Sequence, residues 1–110
     1  MANAFKTYAS RGVGTSLTAI GSHTVASSTT ETIIGMTVSN VTGSAVNVTV
    51  TYNDGANDTN IVKNAPIPTG GALTPIGGDQ KIVLEVGDSI KVSSNTASSL
   101  DAVMSVLEQT

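Results

Sequence analysis

The chain has 110 residues, of which 12% are charged, with a net charge of -3, no cysteine and no tryptophan. That length makes one domain with one core, hiding roughly 65% of the surface the unfolded chain exposes. The five basic residues, Lys6, Arg11, Lys63, Lys81 and Lys91, are scattered, which argues against nucleic acid or an anionic membrane as partner, and the missing cysteines exclude a disulfide framework and a thiolate metal site.

Two Tyr and one Phe leave the core to Val, Ile, Leu, Met and Ala, small side chains among which the branched ones favour pleated sheet. Ser and Thr, about a quarter of the chain, make the surface neutral and rich in hydroxyls. The opening Met-Ala-Asn-Ala-Phe-Lys lacks the apolar run of a signal peptide or membrane helix, so folding in a cytoplasm is expected.

Residues 1–15 hold Phe5 and Tyr8 before Gly12 and Gly14, and read as an N-terminal arm or a first short strand ahead of the main domain, residues 16–110. Gly12 and Gly14 lack the third glycine and the strand-turn-helix setting of a phosphate loop. Leu17 and Ile20 begin a strand near residues 16–20. His23, the only histidine, has no nucleophile or partner near it in sequence and reads as a surface or strand-edge residue.

From Thr32 to Ser39 the alternation predicts a strand with Ile34, Met36 and Val38 on one side and Ile33, Gly35, Thr37 and Ser39 on the other. Gly43 and Ser44 lie in the next turn. Val46, Val48, Val50 and Tyr52 then alternate with Asn47, Thr49 and Thr51, the strongest period-two signal in the chain. Such strands pair antiparallel with one wet face, because a buried parallel strand reads as a continuous apolar run.

Asn53-Asp54-Gly55-Ala56-Asn57-Asp58 clusters oxygen ligands without the spacing of the helix-loop-helix calcium motif, and reads as a hairpin turn. The Asn-X-Thr triplets at Asn40, Asn47 and Asn57 are read as coincidence in a Thr-rich chain. Ile61 and Val62 lead into a corner where Pro66 and Pro68 cannot donate to a ladder and Gly70, Gly71, Gly77 and Gly78 allow reversal. Ile82, Leu84 and Val86 then face the core, a Gly87-Asp88 turn follows, and Ile90 and Val92 resume the inward side.

The tail from Ser98 to Glu108 fits two periods. Leu100, Val103, Met104 and Leu107 fit a helix, whereas Ala102, Met104 and Val106 form one face of a strand. The strand is favoured, because a short lone helix is marginal. Being apolar on both faces, it is a candidate for the sandwich centre or for a subunit contact. Altogether the chain predicts an all-β fold, a single antiparallel β-sandwich, jelly-roll-like, of about eight short strands.

Several segments, Ala2-Asn-Ala-Phe-Lys6, Thr32-Ile-Ile-Gly35, Val62-Lys-Asn-Ala-Pro-Ile-Pro68, Gly77-Gly-Asp-Gln-Lys81, Glu85-Val-Gly-Asp-Ser-Ile-Lys-Val92 and Ser105-Val-Leu-Glu108, resemble a family of small structural proteins of tailed bacteriophages. A proline common in such proteins near Val25 is replaced here by His23-Thr-Val-Ala-Ser27. The resemblance implies a β-sandwich virion component, most directly a capsid decoration or cement protein, made in the host bacterial cytoplasm and placed on the capsid surface. Its implied partner is the major capsid protein, and its implied state a homo-oligomer, trimer or dimer. A tail, baseplate or fibre module contacting the host surface is the alternative.

No catalytic constellation, cofactor site or metal site is expected, so the chain is read as a non-enzyme. The candidate partner-binding residues are Phe5, Lys6, Tyr8 and Arg11 on the N-terminal segment, because terminal segments are free to reorder, and Pro66, Pro68 and Pro75 on the Pro- and Gly-rich corner.

Overall fold

The computed structural model describes residues 2–110. Among the described residues nine strands form two antiparallel sheets: β1 Asn3–Val13, β2 Thr18–Ala19, β3 Thr30–Asn40, β4 Val46–Asn53, β5 Asp58–Ile67, β6 Ala72–Ile76, β7 Ile82–Leu84, β8 Ser89–Ser94 and β9 Leu100–Gln109. A three-residue 3-10 turn, Ile20–Ser22, follows β2. Among the described residues no helix is long and apolar enough to cross a membrane.

One sheet runs β1-β9-β3-β6, with β7 also on β3; the other runs β2-β8-β4-β5. The pairs β1 with β9, β2 with β8, β3 with β6 and β4 with β5 nest inside one another along the chain. That is an antiparallel ribbon wrapped once into a barrel-like sandwich, the jelly-roll topology expected from the alternating strands, with β7 as an added short strand. The N-terminal segment is therefore a full strand of the first sheet, and the tail is a central strand rather than a helix.

Between the sheets lie Ile33, Met36, Val38, Val48, Val50, Ile76, Leu84, Ile90, Val92, Leu100, Met104 and Val106, each at most 2% exposed. The prolines respect the ladders. Pro66 sits on β5 and Pro75 on β6, the outermost strands of their sheets, where a missing donor faces no partner. Among the described residues every buried side-chain nitrogen and oxygen has a hydrogen-bond partner.

Three local readings are corrected. On β3, Ile33 opposes Val106 and Gly35 opposes Ser105, so one extra residue is inserted at Ile34. This β-bulge breaks the period of two, turning Ile33 inward with Met36 and leaving Ile34 41% exposed. Secondly, Val86 is 56% exposed rather than inward, because β7 ends at Leu84. Asp88 N–H donates to Glu85 O, which makes Val86-Gly87, not Gly87-Asp88, the centre of the turn. Gly87 takes φ 86°, the positive value a type II turn needs at its third residue.

The third correction is His23, whose side chain is 14% exposed and tied down. The Asn53–Asp58 stretch is a turn closed by its own side chains. Asp54 Oδ1 accepts from Ala56 N–H and Asn57 N–H, and Asp58 Oδ1 accepts from Thr51 and Asn53. Those backbone donors hold the Asp54 carboxyl below its usual range. Asn40 is likewise committed, its amide donating to Ser44 O and Ile67 O.

Candidate functional site

Alternation places every second residue of the first sheet on its outer face, away from the second sheet. Phe5 pairs with Leu107, Leu107 with Thr32, and Thr32 with Val83, so these four side chains form a row across β1, β9, β3 and β7. A parallel row runs Ala9, Val103, Thr37. Neither row contains a charge. Phe5 is 76%, Val83 54%, Val103 43% and Ile34 41% exposed, the last being turned outward by the bulge. Ile34, Gly35, Val103, Ser105, Thr74 and Gly77 line an open depression of about 350 Å³ on the same face.

The second sheet has no counterpart. Its outer residues include Asn47, Thr49, Lys91 and Ser93, and none of the large, exposed apolar side chains belongs to its strands.

The inner face at one end of the sandwich is polar instead. Gly21, with φ 61°, brings the 3-10 turn so close to β1 that an added Cβ would sit 3.1 Å from Tyr8 Cβ and 3.2 Å from Ala9 N. This approach lays the His23 ring on Tyr8, with centroids 3.7 Å apart and planes 11° from parallel. His23 Nε2 lies 2.7 and 2.9 Å from the two oxygens of Glu31. Glu31, the second residue of β3, pairs directly with Glu108 of β9, whose carboxylate accepts a 2.5 Å hydrogen bond from Tyr8 Oη.

Burial and the adjacent Glu108 push the Glu31 carboxyl up, against the pull of His23. The Tyr8 hydrogen bond holds Glu108 down, and burial with that same bond raises the Tyr8 phenol. The loop carrying His23 is fastened by Val25 N–H to Asp88 O and Gly87 N–H to Val25 O. A proline at position 25 would lack the first donor.

The seven residues named from sequence do not form one site. Phe5, Lys6, Tyr8 and Arg11 lie on β1, while Pro75 lies on β6 at the opposite edge of the first sheet, Pro66 on β5 at an edge of the second, and Pro68 in the corner between β5 and β6. Phe5, Lys6, Arg11, Pro66 and Pro68 are exposed, Pro75 is half-buried, and Tyr8 is occupied by His23 and Glu108. Sequence reading passed over Glu31 and Glu108. One signal pointed to Glu31, a carboxylate two residues before Ile33 and so on the same strand face.

No protein-family model matches the chain, and no curated protein matches it in sequence. Two solved structures are similar in fold. A chain of the Bacillus endospore appendages, described as a novel family of disulfide-linked pili, has a TM-score of 0.57 at 13% identity, over 98% of this chain and 88% of that one. A chain of the acid-stable capsid of Helicobacter pylori bacteriophage KHP30 has a TM-score of 0.56 at 10% identity, over 98% and 87%. At such identities the likeness is one of fold.

Proposed function

We propose that this protein is a virion structural component of a bacteriophage, a decoration protein that binds and stabilises major-capsid subunits through the outer face of its first sheet. The observation that carries the reading is an uncharged sheet face on which Phe5, Ile34, Val83 and Val103 are exposed and Leu107 half-exposed, with Thr32 and Ser105 between them, a concentration of bare apolar side chains that the opposite face lacks. The similar fold in a phage capsid supports it. Association through the face fits better than pairing along the edge, because the edge strand β1 carries both Lys6 and Arg11, charges that discourage a further strand.

On this reading the protein works by binding alone and catalyses nothing. It forms a cyclic dimer or trimer that grips several capsid subunits at once and so multiplies modest contacts. A tail or fibre subunit is the competing reading, favoured by the similar fold in a pilus. The disulfide linkage described for that pilus has no counterpart here, since this chain contains no cysteine.

Co-sedimentation with expanded phage heads that lack the protein, alongside a light-scattering mass of the free protein, tests the proposal. Saturable binding at a fixed ratio to capsid subunits is expected. A monomer at micromolar concentration that leaves heads untouched overturns it, and binding to isolated tails moves the protein there.

A further inference from the structure

The polar corner between the sheets brings together more donor atoms than anchoring a loop requires. His23 follows the 3-10 turn, Glu31 is the second residue of β3 and Glu108 the last but one of β9, yet ligand atoms from all three lie within 4.8 Å of one another. The Glu31 side chain is 1% exposed, and Glu108 is its direct cross-strand neighbour. Glu31 is buried and Glu108 half-buried, and two carboxylates side by side in such a place repel unless one takes a proton or positive charge lies with them. Exposed Lys6 offers charge only from outside; a divalent ion supplies it at the point where the ligand atoms converge.

We infer that His23 Nε2, with one carboxylate oxygen each from Glu31 and Glu108, forms a binding site for a divalent transition ion of the Zn²⁺ class, with Tyr8 Oη hydrogen-bonded to the Glu108 ligand. One imidazole nitrogen among carboxylate oxygens suits Zn²⁺, whereas Ca²⁺ and Mg²⁺ prefer oxygen alone. Tetrahedral zinc with bonds of about 2.0–2.2 Å sets its ligand atoms about 3.3–3.5 Å apart. His23 Nε2 and the nearer Glu31 oxygen, now 2.7 Å apart, separate by less than about 1 Å to admit such an ion.

The supporting layer that metal ligands need is present. Stacking on Tyr8 sets the plane of the imidazole, and the Tyr8 hydroxyl orients the Glu108 carboxylate. An ion held there staples the loop after the 3-10 turn to β3 and β9. The site is independent of the partner proposed above.

The test is calorimetric titration of the chelator-treated, tag-free chain with zinc chloride, with nitrogen-edited NMR of its single imidazole. One ion per chain, a micromolar or tighter affinity, a shift of the His23 Nε2 resonance and a Tm higher by about 4 °C or more are expected, with no response to calcium. Glu108→Gln keeps an acceptor for Tyr8 but removes the charge, and should weaken zinc at least about tenfold, as should His23→Gln. The proposal is overturned if no saturable binding occurs up to millimolar zinc. It is equally overturned if binding leaves the His23 ring signals unmoved, or persists in both variants. The NMR reading on the unaltered chain decides the matter even if a variant fails to fold.

Discussion

The two outer faces of the sandwich are built from the same alternating strands and differ in what the alternation presents. The face made by β1, β9, β3 and β7 exposes Phe5, Leu107, Val83, Val103 and Ile34 in uncharged rows; the face made by β2, β8, β4 and β5 exposes Thr, Asn, Ser and Lys. Both sheets contribute buried residues to one core through their inner faces, which leaves the outer faces free to differ. The proposed binding role accounts for the contrast, because an apolar sheet face gains free energy only when something covers it.

The largest expected effect calibrates the comparison. Met104 and Val103 are consecutive on β9 and point to opposite faces, 1% and 43% exposed. Met104→Ala should cost about 2–5 kcal/mol in urea denaturation, through lost burial and a residual cavity. Next comes the outer face itself. Phe5→Thr with Val103→Thr keeps strand-forming residues, so stability should change by no more than about 0.5 kcal/mol per site, while affinity for phage heads falls at least about tenfold, equivalent to about 1.4 kcal/mol. Ser93→Ala on the opposite face should leave that affinity unchanged. Equal losses from both faces would erase the distinction.

A smaller effect separates an aromatic that is tied down from one that is free. Tyr52 of the second sheet packs against the core and its hydroxyl donates to Asp88 Oδ2 at 2.7 Å, whereas Phe5 of the first sheet has no such anchor. Tyr52→Phe should cost about 1 kcal/mol at neutral pH. The bond to Asp88 pushes the Tyr52 phenol up to about 12 from an unfolded value of 10.0. A raised folded value means the contribution is complete below pH 10 and is lost as pH rises toward 12, so wild type and variant should converge in alkaline melts.

The smallest effect lies in the turn between β4 and β5. Asp54→Ala should lower Tm slightly at neutral pH. The Asp54 carboxyl is held below its usual value, so its contribution is present above that value and is lost as pH falls through the lower folded one. The two proteins should therefore melt alike in strong acid.

Much of the sandwich was legible because its strands alternate, although β1, β3, β5 and β9, at 10 or 11 residues, are longer than the short strands expected. Val46, Val48 and Val50 signalled their inward face directly, and the turn at Asn53–Asp58 carried its own chemistry. The reading failed where one residue changed the count. The bulge at Ile34 leaves no composition signal, and it decides whether Ile33 or Ile34 is buried. Val86 was misplaced because periodicity does not tell a strand end from the first residue of a turn.

The polar corner was hidden for a different reason. Glu31 and Glu108 are 77 positions apart and meet only because β9 inserts between β1 and β3, an order that alternation does not encode. His23 looked isolated because its partners are brought to it by the wrapping of the ribbon and by the close approach at Gly21.

The central claim is that the first sheet's outer face is a binding surface. Paired co-sedimentation of the wild-type chain and the Phe5→Thr, Val103→Thr double variant with phage heads lacking the protein tests it most directly. The account predicts saturable binding of wild type at a fixed ratio to capsid subunits, and loss of binding by a variant that melts normally. Undiminished binding by that variant, or no binding by wild type, would contradict it.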